Sequence, residues 1–207
     1  MSAVGLVGAG IGNLYRAISD EQAVATVHDA LSRGFGLIDT APYYGLGLSE
    51  TRIGVALRSW KGARPLLSTK VGRVLDPLAP GEAAGDFGFA DPLPFHPRFD
   101  YSRSGVRRSL EGSLERLGVD HIDIALVHDI GRHTHGEDHP RLFRQVLVEA
   151  LPELEAARSE GLVGQIGIGV NEWEVGLEAL RHAPLDCILL AGRYTLLEQP
   201  AYTSGLL

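Results

Sequence analysis

The fold of this chain is indicated by the stretch Gly34-Phe35-Gly36-Leu37-Ile38-Asp39-Thr40-Ala41-Pro42-Tyr43-Tyr44-Gly45. A short apolar run ends in an acid, and a Pro-Tyr-Tyr-Gly turn follows it. Leu37 and Ile38 have the character of the last residues of a buried strand, and Asp39 stands where that strand leaves the core. A carboxylate is stable in such a place only when another group pairs with it. The stretch therefore predicts a partner for Asp39 elsewhere in the chain.

Composition and charge narrow the class of protein. The chain has 207 residues, of which 44% are hydrophobic and 22% charged, as in an ordinary globular protein. Its net charge of −7 argues against a nucleic-acid partner, which usually selects a basic surface. Apolar runs fall short of the roughly 20 residues that span a bilayer, and residues 1–5 lack signal-peptide features. The one cysteine, Cys187, fits a reducing compartment. We therefore expect a cytoplasmic protein without a membrane partner, with Cys187 packed in the core.

Strands and helices alternate along the chain in the predicted secondary structure. Apolar periodicity, helix caps and glycine stops predict strands over 4–8, 37–39, 65–70, 122–128, 163–170 and 185–190, and helices over 20–33, 49–61, 102–117, 140–160 and 172–181. No hairpin signal separates the strands, so the sheet should be largely parallel. A spacing of about 25 to 40 residues per unit suits a barrel. We expect one α/β domain over residues 1–207, an incomplete (β/α)8 TIM-type barrel with about six units.

Three stretches between these elements allow alternatives. A long Gly/Pro-rich loop is expected over 71–101, either a binding lid or disordered. The glycines of 8–12 suggest a dinucleotide-binding loop, but the third glycine is one position early and the next helix begins only near Asp20, so we favour a plain glycine-rich loop. The polar loop 129–140 contains three histidines, which we expect to be solvated rather than metal ligands: His133, His135 and His139.

Polar residues of different chemistry end four of the strands: Asp39, Lys70, His128 and Asn171. In a barrel these ends lie on one side, where active sites are built. A phenol titrates near pH 10, and a neighbouring ammonium stabilises its phenolate. Lys70 can supply that ammonium, Asp39 can hold it charged, and His128 can orient a substrate oxygen. A redox reaction then requires a nicotinamide cofactor, because no side chain carries a hydride. Two plainer roles stay open: a structural ion pair for Asp39 and Lys70, and a helix cap for Asn171.

Several motifs together resemble the aldo-keto reductase family. The residues that carry the resemblance are 36–45 followed by Ser49-Glu50, then Ser68-Thr69-Lys70 and Leu126-Val127-His128. The loop after Lys70 and the stretch 190–197 are similar to the D-threo-aldose (L-fucose, D-galactose) 1-dehydrogenase branch. The resemblance implies an NAD(P)-dependent oxidoreductase that interconverts an alcohol or aldose with its carbonyl or lactone. A small sugar or aldehyde would be the substrate, and NADP or NAD the cofactor.

The resemblance also implies roles for individual residues. The catalytic tetrad would be Asp39, Tyr44, Lys70 and His128, with Tyr44 as the proton donor or acceptor and Tyr43 in the pocket wall. Asn171 would hold the nicotinamide carboxamide. Tyr202 would stack on the nicotinamide, at the end of a seventh strand formed by the tail 201–207. Val170 and Ala191 stand where the family usually has serine and glutamine, so weaker binding of the carboxamide is expected.

The length of the chain is the largest departure from the family. Six strands are predicted where the family has eight, and the segments that bind the adenosine phosphate in the family lie beyond residue 207. An open sheet leaves strand edges uncovered, so self-association is expected. The alternative hypothesis is a catalytically inactive truncated barrel that acts as a binding fragment or has no function.

Overall fold

Eight strands are present in the computed structural model of the chain, which describes residues 4–207. In chain order they are β1 (Leu6–Val7), β2 (Leu37–Asp39), β3 (Leu66–Val71), β4 (Arg73–Pro77), β5 (Phe95–Phe99), β6 (Ile122–His128), β7 (Val163–Val170) and β8 (Cys187–Leu190). Six of them form one sheet in the order β1-β2-β3-β6-β7-β8, and each neighbouring pair is parallel. The predicted partial α/β barrel is therefore confirmed.

Helices lie between successive strands of the parallel sheet, as the predicted alternation requires, and one further short helix follows the last strand. They are α1 (Asp20–Ser32), α2 (Leu48–Ser59), α3 (Arg103–Leu117), α4 (Arg132–His135), α5 (His139–Gln145), α6 (Leu151–Ser159), α7 (Trp173–His182) and α8 (Pro200–Thr203). The side chains of Ser19 and Ser102 cap α1 and α3 by accepting backbone N–H bonds. A π-helical turn, 146–150, joins α5 to α6, where Pro152 has no N–H to donate. Within 4–207 every helix is too short or too polar to cross a membrane.

The register of the sheet brings the carboxyl ends of its strands to one edge. Asp39 pairs with Ser68, and Lys70, two residues further along β3, pairs with Leu126. His128 pairs with Gly169 on β7, just before Asn171 leaves that strand. Parallel pairing alone thus places the four predicted polar strand ends at the same edge of the sheet, the one formed by the carboxyl ends of its strands.

The predicted long loop over 71–101 is wrong in its first and last parts. β4 and β5 pair there as an antiparallel hairpin, with Arg73 opposite Phe99 and Pro77 opposite Phe95, and α3 packs against β4. Prolines and paired charges interrupt the apolar alternation that would have indicated strands; Arg98 of β5, for example, binds Asp76 of β4. The hairpin is folded and presents its connecting residues, 78–94, to the predicted site.

Two expectations about the last part of the chain also need correction. The tail forms the short helix α8 followed by a turn, so the predicted strand over 201–207 is wrong, and Tyr202 lies on that helix. Cys187 is only half-buried, because β8 is an edge strand that pairs with β7 on one side. Among residues 4–207, no strand of the sheet covers the other edge of β8, so Cys187 stays partly open to solvent.

Gly54 lets helices α2 and α3 approach closely. A Cβ atom at this position would lie 2.6 Å from the carbonyl oxygen of Leu117 and 2.7 Å from that of Arg116. The neighbouring Ile53 is completely buried, so the contact belongs to the core. Backbone atoms of a packed helix have little freedom to withdraw, and the absence of a side chain is therefore required here.

Gly54→Ala is expected to lower the free energy of unfolding by about 1–3 kcal/mol, because overpacking forces the two helices apart. Chemical denaturation followed by circular dichroism measures the change. Gly10→Ala is the matched control, since a Cβ at Gly10 meets no atom within 4 Å. Equal stability of the two variants would contradict the close contact.

Candidate active site

A buried ion pair joins the ends of β2 and β3. Nζ of Lys70 donates to Oδ2 of Asp39 at 2.7 Å, and the two side chains are only 2% and 4% exposed. Ser68 donates to the other carboxylate oxygen of Asp39, also at 2.7 Å. The partner that the sequence required for Asp39 is thus Lys70. Both charges are satisfied by hydrogen bonds, as burial demands.

Tyr44 lies against the same ammonium. The Nζ of Lys70 donates to Oη of Tyr44 at 3.2 Å and to the carbonyl oxygen of Thr40 at 2.8 Å. Burial alone would lower the pKa of Lys70, but the charge of Asp39 and the contact with Tyr44 outweigh it and raise the pKa. Lys70 therefore stays protonated, with a hydrogen atom directed at the phenol oxygen.

His128 ends β6 beside the two tyrosines. Its ring centroid lies 6.2 Å from that of Tyr44 and 6.4 Å from that of Tyr43, both edge-on. Complete burial, followed by the cations of Lys70 and Arg73, holds the pKa of His128 well below its ordinary value. The imidazole is therefore neutral near pH 7. Its Nδ1 is buried without a hydrogen-bond partner among residues 4–207, and its Nε2 lies 3.4 Å from the carboxylate of Asp129.

These side chains open onto one cavity of about 280 Å³ at the carboxyl edge of the sheet. Tyr44, Lys70, His128 and Asn171 line it, while Asp39 lies behind Lys70. The remaining wall is mostly apolar or aromatic: Ala9, Leu14, Tyr43, Phe87, Phe89, Asp129, Gly169, Val170, Leu189 and Ala191. A larger cavity of about 700 Å³ lies between α4, α7 and the tail, and shares only Asn171 with the first. Of these two cavities, only the smaller is lined by Tyr44, Lys70 and His128.

Several residues of this region escaped the sequence analysis. Arg73 of β4 binds Asp129 and lies 3.8 Å over the ring of Tyr43. Asp129 also accepts a hydrogen bond from the Asn171 amide at 2.8 Å. Tyr101 donates to the carbonyl oxygen of His128 at 2.8 Å. Asp129 was detectable as the residue that follows a polar strand end, whereas Arg73 and Tyr101 were hidden by the unrecognised hairpin.

The expectation of three solvated loop histidines is wrong for His139, whereas His133 is exposed and His135 is partly exposed. His139 begins α5, is 2% exposed, and contacts the carbonyl oxygen of Ile130 through Nδ1 at 2.9 Å. The Nε2 atom of His135 lies 2.9 Å from the hydroxyl of Tyr101. Residues 4–207 contain no group of three His, Cys, Asp or Glu side chains arranged to hold a metal ion.

The two predicted cofactor-binding residues lie in different surroundings. Asn171 lines the cavity, with its amide held by Asp129. Tyr202 is 61% exposed on α8 and is absent from the cavity wall. Its role therefore stays a prediction that this geometry does not support. Glu50, the last residue of the Ser49-Glu50 motif, is completely buried and binds Thr69 and Arg116, so it stabilises the scaffold beneath the site.

A half-barrel whose carboxyl edge brings a tyrosine, a buried lysine–aspartate pair and a histidine to one cavity has the site architecture of a barrel oxidoreductase. The chain belongs to the aldo/keto reductase family, whose model matches residues 3–207. This agrees with the resemblance in the sequence motifs.

Individual relatives are similar over nearly the whole chain. A D-threo-aldose 1-dehydrogenase from a Pseudomonas species is 42% identical over 207 residues, which is 99% of this chain and 60% of the relative. A pyridoxal 4-dehydrogenase from Microbacterium luteolum is 42% identical over 96% of this chain and 60% of its own length. A solved putative aldo-keto reductase from Pseudomonas aeruginosa is 32% identical, with a TM-score of 0.68, over 95% of this chain and 64% of that structure. The chain thus spans about 60% of the length of the named relatives.

Asp39→Ala is expected to lower the free energy of unfolding by about 3–5 kcal/mol, because it leaves the Lys70 ammonium buried without its countercharge. Urea denaturation at pH 7 measures the loss. Asp29→Ala is the control: it breaks the exposed pair with Arg33, which contributes at most about 1 kcal/mol. If both variants lost the same small amount, the buried pair would not carry the stability inferred for it.

The low pKa of His128 predicts a pH dependence of stability. The unfolded chain binds a proton at this residue below about pH 6.5, while the folded chain does not. The contribution of His128 is therefore complete above pH 6.5 and decreases as the pH falls toward the folded pKa, by at most about 1.4 kcal/mol per pH unit. Denaturation measured between about pH 7.5 and about pH 5.5, roughly one unit on either side of the unfolded pKa, should show a steeper loss of stability in the wild type than in His128→Gln. Parallel curves would mean that His128 is not held neutral.

Proposed function

We propose that the chain is an NAD(P)-dependent oxidoreductase that interconverts an alcohol or aldose with its carbonyl or lactone. The observation that supports it best is the placement of the Lys70 ammonium between Asp39 and Tyr44, at 2.7 Å and 3.2 Å. The phenol that receives this contact faces the same cavity as His128. Proton transfer to or from an oxygen is the chemistry that such a set performs.

Each residue of the set has a distinct role in the proposed reaction. During reduction, Tyr44 gives its hydroxyl proton to the substrate oxygen. During oxidation, the Tyr44 phenolate takes the proton of the substrate hydroxyl. Lys70 stabilises the resulting phenolate through its positive charge, and Asp39 fixes the ammonium in place. The neutral ring of His128 contacts the same substrate oxygen and orients it toward Tyr44.

The cavity also fits the nicotinamide end of a cofactor. Asn171 offers a carboxamide at the wall, and Gly169 keeps the wall flat beside Lys70, because a Cβ there would lie 3.3 Å from the lysine Cε. When bound, the nicotinamide supplies or accepts the hydride that no side chain can carry. The relatives differ in cofactor: an Escherichia coli relative is named an NADH-specific methylglyoxal reductase, and a Klebsiella pneumoniae structure with a TM-score of 0.61 was solved with NADPH. We therefore propose NADP or NAD.

A small sugar or aldehyde is the substrate class we propose. Tyr43 packs edge-on against Phe89 at a centroid distance of 5.5 Å, so two aromatic faces border the reacting groups. Such faces suit the C–H surface of a pyranose or the body of a small carbonyl compound. The relative named D-threo-aldose 1-dehydrogenase favours an aldose. The single cysteine and the negative charge support a cytoplasmic setting without nucleic acid.

A binding fragment without catalysis is the second hypothesis, and one observation favours it. Leu196 and Leu197 are 95% and 96% exposed close to the open edge strand β8, a surface suited to self-association. Fluorescence titration with NADPH and with NADH separates the hypotheses, because Trp173 is close in sequence to Asn171 and its emission can report binding. Quenching by neither cofactor would favour the second hypothesis.

Tyr44→Phe is expected to lower kcat for aldose oxidation by about 10²–10⁴-fold, since it removes the proton-transferring hydroxyl. Cofactor affinity should change little, because the ring is retained. Absorbance of the reduced nicotinamide at about 340 nm follows turnover.

Tyr43→Phe is the matched control for that experiment. It removes a hydroxyl that makes only a 3.5 Å contact with the carbonyl oxygen of Phe87. Its kcat should stay within about threefold of the wild type. Full turnover by Tyr44→Phe would reject Tyr44 as the acid–base group.

A further inference from the structure

The Asp129 carboxylate contacts three groups of the site at once. Its Oδ1 accepts a hydrogen bond from Nδ2 of Asn171 at 2.8 Å. Its Oδ2 pairs with the Arg73 guanidinium and lies 3.4 Å from Nε2 of His128. One side chain thus joins the residue proposed to face the cofactor to the residue proposed to face the substrate.

The surrounding structure fixes this carboxylate. The backbone N–H of Asp129 donates to the carbonyl oxygen of Gly169 at 2.8 Å, and its φ of 49° lies in the left-handed region that aspartate tolerates better than most residues. Its countercharge is also held, since the Arg73 guanidinium lies 3.8 Å over the ring of Tyr43 and 4.5 Å over that of Phe99. Both partners are nearly buried, with side chains 13% and 11% exposed. A pair restrained on both sides has little freedom to reorient.

The orientation of the Asn171 amide follows from this contact. Among the residues that line the 280 Å³ cavity, drawn from 4–207, Asn171 has the only side-chain amide. A carboxamide can turn either its oxygen or its nitrogen toward a ligand. Because Asp129 is an acceptor, the NH₂ group turns toward it, and the Oδ1 of Asn171 remains to accept a hydrogen bond from a ligand.

We propose that Asp129, with Arg73 as its countercharge, is a positioning residue that sets the Asn171 carboxamide to accept a hydrogen bond from the amide of the nicotinamide. The inference rests on the proposed function, because it takes the cofactor as the ligand of Asn171. It assigns the hairpin a part in cofactor binding, since Arg73 belongs to β4. It also explains why an aspartate follows the strand-end histidine.

Cofactor affinity measured by fluorescence titration with NADPH or NADH, whichever binds the wild type, tests the proposal. Asp129→Ala removes the acceptor and should raise Kd about tenfold, which corresponds to one hydrogen bond to a charged group. Asp129→Asn keeps an acceptor oxygen for Asn171 and should stay within about threefold of the wild type. Equal losses in both variants would show that charge, not orientation of the amide, matters, and would overturn the proposal.

A matched control separates positioning from general effects of losing an ion pair. Asp76 lies on the same hairpin, away from the cavity, and Asp76→Asn breaks its pairs with Arg98 of β5 and Arg108 of α3. Its Kd should equal that of the wild type. A tenfold loss in Asp76→Asn as well would mean that any disturbance of the hairpin weakens binding, and the specific role of Asp129 would be rejected.

A double-mutant cycle shows whether Asp129 acts through Asn171. In an Asn171→Ala background, Asp129→Ala should have almost no further effect on Kd, because the group it positions is absent. Multiplicative losses would instead indicate independent roles and would overturn the proposal.

A cofactor-free measurement keeps the inference distinct from the proposed function. The side-chain NH₂ signals of Asn171, followed by NMR, should exchange with solvent more slowly in the wild type and Asp129→Asn than in Asp129→Ala. Slow exchange in Asp129→Ala would overturn the positioning role even if the chain bound NADPH normally. If the expected exchange pattern appeared but neither cofactor bound, the proposed function would fail while the contact between Asp129 and Asn171 stood.

Discussion

Lys70 holds its ammonium in the protein with only 2% of its side chain exposed, and this charge constrains much of the surrounding structure. Burying such a cation without hydrogen-bond partners would cost several kcal/mol. The ammonium therefore donates hydrogen bonds to oxygen atoms of Asp39, Thr40 and Tyr44. The contact between Lys70 and Asp39 requires β2 and β3 to be parallel neighbours in one register. The contact with Tyr44 also requires the turn after Asp39 to fold back so that the phenol reaches the same nitrogen. The requirements of the buried charge and those of the proposed chemistry are therefore the same.

Neighbouring charges extend this arrangement. Arg73 and Asp129 form a second, nearly buried pair beside His128, and the completely buried Glu50 pairs with the partly buried Arg116. Each pair joins segments that are distant in sequence: Arg73–Asp129 connects the hairpin to the end of β6, and Glu50–Arg116 connects α2 to α3. Because complete burial, and after it the cations of Lys70 and Arg73, disfavour protonation of His128, the imidazole stays neutral between them. A neutral ring beside a protonated lysine is the electrostatic state that the proposed reaction needs.

Much of the fold was predictable because parallel strands leave a strong local signal. Apolar runs that end in a polar residue identified β2, β3, β6 and β7, and glycine stops placed the helix ends within a few residues. The hairpin was missed because Pro77, Pro97 and the cross-strand charges conceal the alternation of its strands. The tail was wrongly predicted to be a strand because the expectation came from the resemblance, while the residues themselves form α8. His139 was expected in solvent because nothing in its polar segment indicates that α5 turns the ring inward.

The sequence by itself determined the sheet, the identity of the four residues at its carboxyl edge, and the requirement that Asp39 find a cation. It did so because burial and backbone periodicity act over a few residues and produce a pattern of residue types that is visible in a short stretch of sequence. Only the tertiary structure decided which groups surround these residues: Arg73 reaching from the hairpin, Asp129 turning its carboxylate to Asn171, and the neutral state of His128. Those features depend on distances between segments as many as 98 residues apart, such as Arg73 and Asn171. Electrostatic energies depend on separation in space, which no local pattern records.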